Sequence, residues 1–389
     1  MKSVGATSYL KKNTMLIALV AVIIFFSIVT QGKILYAQNI NNLISQNGYV
    51  FVLASGMLLC ILTGGNIDLA VGSVVCFTGG IGAVMMQAKM PTFLAVLVML
   101  AVGLAIGMFQ GFWIAWVSVP PFIATLAGMY AFRGLANVVL GGYAVGINDT
   151  AFLNVFGGGA DCYIPDFLNG KNLNITCLVV GIIGTLIFVI MTLRGIAVNK
   201  KKGIVGSSTT ATVVKMVIIA ALILWITYKL SQYKGIPTVL IWIAVVLLVY
   251  GYITTNTAIG RYFYAVGGNE KATRLSGVNT KKVYFIAYAN MGLLAGLAGI
   301  LTVARASSAQ PTYGQGYEMD AIASCFIGGA SAYGGVGKIT GVIIGAALMG
   351  IINQGMSIMG ISTNYQRAVK GIVLLVAVLV DVLSKKEKA

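Results

Sequence analysis

The sequence predicts an all-α polytopic membrane protein with about ten to twelve transmembrane or re-entrant helices. Hydrophobic residues make up 58% of the 389 residues and charged residues only 9%, whereas soluble domains carry about 25% charged residues. The apolar runs are long and continuous, unlike the alternating segments of about ten residues that build a membrane barrel. We therefore expect residues 1–389 to form a single transmembrane domain.

Each predicted span is an apolar run that approaches the roughly 20 residues needed to cross a bilayer. The run from Met319 to Gly360 is interrupted by glycines, so it holds either two spans or one re-entrant hairpin and one span. The other predicted spans are Met15–Thr30, Gly48–Thr63, Ile67–Met86, Thr92–Val117, Phe122–Leu140, Leu173–Leu193, Val213–Leu230, Thr238–Thr254, Val283–Ala304 and Arg367–Leu383.

The basic residues predict the orientation of the chain. Lysine and arginine total 26 against 9 acidic residues, which gives a net charge of +17. They concentrate in every second loop, and loops rich in Lys and Arg stay in the cytoplasm. This rule places both termini and residues 194–212 and 256–282 in the cytoplasm, and residues 141–172 outside. In a soluble protein such a charge would indicate nucleic acid. In short loops between spans it indicates membrane lipid instead, so we expect no nucleic-acid partner.

Residue types used for catalysis and metal binding are scarce. The chain has no histidine, and its five cysteines form no C-x-x-C pair. Cys162 and Cys177 flank the external loop: they either form a disulfide there or are small apolar core residues. We expect no metal site, no cofactor and no enzymatic activity.

No ATP-binding motif is present. The nearest match, Gly334–Thr340, has Ile339 where Mg²⁺ binding needs Ser or Thr, and no soluble strand is predicted before it. If transport is driven by ATP, a separate subunit hydrolyses it. Glycines of this kind break helices around cavities in membrane proteins.

Two ionisable residues are predicted at membrane depth. Asp68 follows a glycine pair, Gly64 and Gly65, that ends one helix, and it either caps the next helix or contacts the cargo. Arg133 lies in an apolar span and must bind a carboxylate or backbone carbonyls. Asp68 is a candidate partner for it.

A second polar region runs from Arg305 to Asp320. Its hydroxyl, amide, aromatic and carboxylate groups suit a sugar, but they also suit an ordinary loop, and its acids either hold Arg305 or cap the following helix. Asn353 either lines a cavity or joins two helices by a hydrogen bond. The pathway or structural candidates in these two regions are Gln310, Tyr313, Glu318, Asp320 and Asn353.

The loop at residues 256–282 has mixed charge on an otherwise apolar chain. Glu270 and Arg274 are four residues apart, a favourable spacing on an exposed helix. The segment Gly268–Gly277 is therefore either a short surface helix that docks to a soluble partner or an ordinary solvated loop.

Five segments, taken in order, resemble the permease subunits of the ribose/xylose/galactoside class of ABC importers, most closely the xylose or multiple-monosaccharide branch. An additional helical pair near Arg194–Gln232 is similar to that longer branch. The segments are TGGNIDLAVGSVV, PPFIATLAGMYAFRG, GRYFYAVGGNEKATRLSGVNTKKV, YEMDAIASCFIGGASAYGGVGK and NYQRAVKGIVLLVAVLVDV.

The resemblance implies a permease homodimer in a bacterial inner (plasma) membrane that forms the pathway for a monosaccharide. It implies two further partners, an ATP-binding subunit on the cytoplasmic side and an extracytoplasmic sugar-binding protein. It also implies that the cytoplasmic loop docks to the ATP-binding subunit through residues that include Gly268, Asn269, Glu270, Ala272, Arg274 and Gly277.

The alternative function is an ion-coupled secondary transporter of a small polar solute. Such a transporter usually needs coupling acids or a histidine relay within its spans. This chain has no histidine and only 9 acidic residues, so the ATP-driven importer is the preferred hypothesis.

Overall fold

The computed structural model describes residues 14–159, 161–201 and 209–386. Eight of the helices within these residues are long and apolar enough to cross a membrane, and Met15–Val29 and Val71–Gln87 are shorter apolar helices. The prediction of an all-α polytopic membrane protein is confirmed.

Helices follow one another closely along the chain, and each predicted span coincides with one of them. They are α1 Thr14–Val29, α2 Ala37–Leu62, α3 Val71–Gln87, α4 Thr92–Ala115, α5 Pro121–Leu140, α6 Thr150–Phe156, α7 Ile175–Lys201, α8 Thr209–Ser231, α9 Val239–Asn256, α10 Ala258–Gly268, α11 Glu270–Leu275, α12 Thr280–Ala306, α13 Tyr317–Ile327, α14 Ile339–Ile358 and α15 Thr363–Lys386.

Helix α12 lies at the centre of the bundle and packs against α2, α3 and α4. Its closest contact is with α4, where glycines on both helices bring the two backbones together. A side chain added at Gly107 would overlap the carbonyl of Tyr288, and one added at Gly292 would overlap the carbonyl of Gly103. Membrane helices associate through such small residues because lipid supplies no hydrophobic driving force between them.

Two breaks in the helices meet inside the bundle. Gly64 and Gly65 end α2 with φ values of 124° and 76°, a region that favours glycine. Gly334, in the break between α13 and α14, lies against the backbone of Gly64. The predicted glycine breaks are therefore present, and they pack on each other through backbone atoms.

The interrupted apolar region contains one short helix and one span. Helix α13 has 11 residues and α14 has 20. At 1.5 Å per residue, α13 covers about 16 Å, roughly half of the bilayer core. Of the two arrangements left open for Met319–Gly360, two full spans are therefore excluded.

The segment 141–172 is more ordered than an irregular loop. Strand β1, Val145–Gly146, pairs antiparallel with β2, Ser308–Ala309, so this segment is joined to the end of α12. Asp149 caps α6, because its carboxylate accepts a 3.0 Å hydrogen bond from the amide of Phe152. Farther along, the Asp166 carboxylate accepts hydrogen bonds from backbone amides that include Thr176 at 3.0 Å. These bonds hold the pKa of Asp166 below its usual range.

Cys162 and Cys177 are both free and buried, which matches the alternative of small apolar core residues and not the disulfide. The loop predicted at 194–212 is shorter, because α7 continues to Lys201 and α8 begins at Thr209. Residues 202–208 and both chain ends, including Lys2, Lys11 and Lys12, lie outside the described residues.

Candidate functional site

A cavity of about 160 Å³, whose lining is mixed and more apolar than polar, lies at the end of the bundle that carries the β1–β2 ladder. We call it the tyrosine cavity. The rings of Tyr49 and Tyr317 stack with their centroids 3.5 Å apart and their planes at 11°. The other polar residues of its lining are Ser45, Gln46, Thr302, Arg305 and Tyr313. Aromatic faces beside hydroxyl and guanidinium groups form the kind of surface that binds a small polyol.

The tyrosine cavity depends on three elements that meet at one carboxylate. Asp320 on α13 is fully buried, and its Oδ2 accepts hydrogen bonds from the Tyr49 hydroxyl at 2.6 Å and from Lys370 Nζ at 2.9 Å. Two expectations for Asp320 were wrong. It does not hold Arg305, and the N-cap of α13 is Gly316, which makes no side-chain cap bond.

Arg133 holds the chain that leads into the cavity. Its Nη1 donates to the carbonyls of Pro311 at 3.2 Å and Tyr313 at 2.6 Å. Among the described residues it makes no ion pair with Asp68, so that pairing is wrong. Arg133 instead uses backbone carbonyls, the second alternative, as hydrogen-bond acceptors.

The Asp68 side chain forms a hydrogen bond within its own segment of the chain. It is 2% exposed, and its Oδ1 accepts a 2.8 Å hydrogen bond from the amide of Ala70, the N-cap residue of α3. Asp68 thus closes a short turn just before α3 and does not cap the helix, whose N-cap residue Ala70 makes no side-chain cap bond. The segment that Asp68 orders is the glycine break described above.

The remaining candidates are divided between the cavity and the framework. Tyr313 lines the cavity, and its hydroxyl lies 3.3 Å from Ser308 Oγ. The backbone carbonyl of Gln310 accepts from Cys76 Sγ at 3.4 Å. Glu318 lies against Gly72, at the start of α3. Asn353 donates to Asn47 Oδ1 at 3.2 Å, which joins α14 to α2.

We expect Arg133→Leu to lower the stability of the protein by about 1.5–3 kcal/mol, the range for hydrogen bonds to a charged group. The two carbonyls would lose their donor inside the bundle. Because Asp68 does not contact Arg133, the loss in Asp68→Asn/Arg133→Leu should equal the sum of the two single losses. Thermal unfolding in detergent micelles measures both. Arg133→Lys is the matched control, since it keeps the charge and one donor. Recovery in the double variant would contradict the assignment.

The opposite end of the bundle carries a surface element at Gly268–Gly277. Asn269 caps α11 by accepting a 3.0 Å hydrogen bond from the amide of Ala272. Gly277 then turns the chain with φ of 89°. The short helix, one of the two alternatives for this segment, is present. The preceding helix α10, which the sequence analysis did not predict, positions it.

One detail of this element differs from the prediction. Glu270 accepts a 3.1 Å hydrogen bond from the Tyr284 hydroxyl on α12, and it makes no ion pair with Arg274 among the described residues. The neighbouring Gly267 is helical, and a side chain there would overlap the backbone of Leu62. Glycine is therefore needed at this position for close packing.

The surface element borders a groove of about 560 Å³, which we call the cytoplasmic-loop groove. The predicted residues Glu270, Arg274 and Gly277 line one side. Pro120 and Pro121, at the start of α5, are also part of its lining. It is open and of mixed polarity, which suits a protein surface better than an enclosed small molecule.

Sequence reasoning missed the residues whose partners are distant in the chain. Lys370 carried a usable signal, because it is a charge inside an apolar span and lies one turn from Arg367. Tyr49 and Tyr284 carried none, since single tyrosines in membrane helices are common, whereas Tyr317 lies in the polar region from Arg305 to Asp320 that the sequence does indicate.

Comparisons with known proteins give consistent results. The family described as "Branched-chain amino acid transport system / permease component" matches residues 39–378. The xylose transport system permease protein XylH of Escherichia coli is 35% identical over 373 residues, covering 96% of this chain and 92% of that protein. XylH of Haemophilus influenzae is 36% identical over 389 residues, covering 100% of this chain and 99% of that protein. The ribose import permease protein RbsC of E. coli is 35% identical over 374 residues, covering 96% and 94%. No solved structure matches the chain.

Proposed function

We infer the function from one premise: the chain belongs to the permease family described as "Branched-chain amino acid transport system / permease component", which matches residues 39–378. We propose that it is the transmembrane permease subunit of an ATP-driven importer and forms the pathway for a monosaccharide. The observation that carries the proposal is the end-to-end similarity to permeases named for xylose and ribose.

The tyrosine cavity supports a sugar as the cargo. A monosaccharide presents a ring of hydroxyl groups and two flatter apolar faces, so it needs hydrogen-bonding groups beside an aromatic surface. Tyr49 and Tyr317 line the cavity as a stacked pair whose inner faces cover each other, and Arg305 and Tyr313 supply polar groups. A branched-chain amino acid, the cargo in the family description, would require an apolar pocket and a partner for each of its two charges.

The proposal assigns a partner to each end of the bundle. The ATP-binding subunit docks at the cytoplasmic-loop groove, through Gly268–Gly277. An extracytoplasmic sugar-binding protein delivers cargo at the end with the tyrosine cavity. The permease acts as a homodimer in a bacterial inner membrane, with both termini in the cytoplasm. The distribution of Lys and Arg supports this orientation.

Reconstitution tests the proposal directly. The permease, its ATP-binding subunit and its sugar-binding protein are placed in liposomes, and uptake of labelled xylose, ribose and leucine is measured. We expect uptake of a monosaccharide that requires ATP and is insensitive to ionophores. Liposomes that lack the ATP-binding subunit are the control.

Two results would contradict the proposal. Uptake driven by an ion gradient without the ATP-binding subunit would establish the secondary-transport alternative. ATP-dependent uptake of leucine alone would support an ATP-driven importer but would show that its cargo is an amino acid and not a monosaccharide.

A further inference from the structure

Helix α15 is bonded to the chain segment 315–320, which carries part of the tyrosine cavity. It packs against α13, and its basic residues Arg367 and Lys370 lie one turn apart on the same face. Arg367 Nη2 donates to Gln315 Oε1 at 2.6 Å, and Lys370 Nζ donates to Asp320 Oδ2 at 2.9 Å. Neither basic residue lines the cavity.

The segment that these two bonds hold carries a wall of the cavity. Tyr317 lies between Gln315 and Asp320 in the sequence and stacks on Tyr49. The Tyr49 hydroxyl binds the same Asp320 oxygen as Lys370, at 2.6 Å. One buried oxygen atom therefore connects α2, α13 and α15 and sets where the two rings meet.

Stability alone does not account for this arrangement. The side chains of Asp320 and Lys370 are 0% and 13% exposed, and a charge at membrane depth is unfavourable even when paired. Replacing a buried ion pair with neutral or apolar groups is often harmless to stability or improves it. Both donors also bind Oδ2, and Asp320 Oδ1 is buried with no partner among the described residues. Both hydrogen bonds therefore fix the position of Oδ2, while Oδ1 is left without a donor among the described residues.

We propose that Lys370 is a positioning residue for transport, which holds the Tyr49–Tyr317 pair in place from outside the cavity through Asp320, with the exposed Arg367–Gln315 bond beside it. This inference rests on the proposed function, because it assigns the tyrosine pair to the transport pathway. Lys370 makes the stronger bond, since its acceptor is a buried carboxylate and the acceptor of Arg367 is a neutral amide.

The first test compares transport with folding. Lys370→Met and Asp320→Asn each leave one partner without its counterpart, whereas Asp320→Asn/Lys370→Met removes both charges. We expect folded yield to fall in the single variants and to recover in the double variant. Uptake per folded transporter should fall at least about tenfold in all three, because a displaced contact group is costly. Lys370→Arg keeps the charge and should retain most of the uptake.

Uptake that recovers together with folded yield in the double variant would overturn the proposal, because the pair would then be only structural. Normal uptake in Lys370→Met would overturn it as well. ATP hydrolysis stimulated by the loaded sugar-binding protein should persist in the variants, since neither residue belongs to the cytoplasmic-loop groove.

A second readout needs no transport. All five native cysteines are buried, so a single Ser45→Cys change in the cavity lining provides a clean label site. We expect a water-soluble maleimide to label it at a rate that changes by about threefold or more when Asp320→Asn/Lys370→Met is added, because the tyrosine pair is released. An unchanged rate would overturn the positioning role. If unmodified protein imports no monosaccharide but the labelling rate changes, the proposed function fails and the positioning role stands.

Discussion

Gly107→Val should remove nearly all folded protein. The added side chain would overlap the carbonyl of Tyr288 on α12, and neither backbone can move without separating two central helices. Overpacking costs about 1–3 kcal/mol where side chains can adjust, and here the obstacle is backbone. We therefore expect at least about a tenfold loss of monodisperse protein after extraction into detergent.

A matched control exists on α7. Gly184 has open space where a side chain would extend, so Gly184→Val introduces the same residue into a membrane helix without a clash. Its yield should remain close to that of the unmodified protein. Equal yields of the two variants would show that the contact between α4 and α12 is not the close approach described above.

Gly277→Val should abolish uptake and leave membrane insertion almost unchanged. Gly277 has φ of 89° and open space around it, so the substitution changes backbone conformation and nothing else. A left-handed residue costs about 1–2 kcal/mol outside glycine, and more for a β-branched side chain. The backbone after α11 should then change its conformation where it lines the cytoplasmic-loop groove. Docking of the ATP-binding subunit should be lost as a result.

Gly277→Asn is the control for this prediction, because Asn adopts the left-handed region more readily than other residues. It should retain most of the uptake and the co-purification of the ATP-binding subunit. Glu270→Arg should also reduce uptake, since it removes the acceptor for the Tyr284 hydroxyl. Unmodified uptake in both Gly277→Val and Glu270→Arg would mean that this segment is only a connector.

The spans could be predicted from sequence because the bilayer demands one local property, an apolar run of sufficient length. The end of α2 at Gly64 and Gly65 was equally predictable, since the cause lies in those residues themselves. The start of α2 was not. Ala37–Asn47 is polar, yet it is helical because partners elsewhere bind it, such as the carbonyl of Gly235 that accepts from Asn41.

The partners of charged residues could not be predicted for a related reason. A charged residue within an apolar run indicates that the charge needs a partner at membrane depth. The pattern does not indicate which group that partner is. Asp68 and Arg133 were therefore paired with each other, although each binds backbone atoms. Asp320 finds its partner 50 residues away at Lys370. Only the arrangement of α13 and α15 brings the two together.

The length of α12 has a mechanical consequence. Its 27 residues extend about 40 Å at 1.5 Å per residue. Tyr284 near one end is bonded to α11, and Ser307, just past the other end, accepts a 2.9 Å hydrogen bond from the amide of Ile147. Between them, the glycine contacts with α4 leave no side-chain layer that can deform. We therefore expect a displacement at one end of α12 to be passed to the other end by the helix as a whole, with α4 moving beside it.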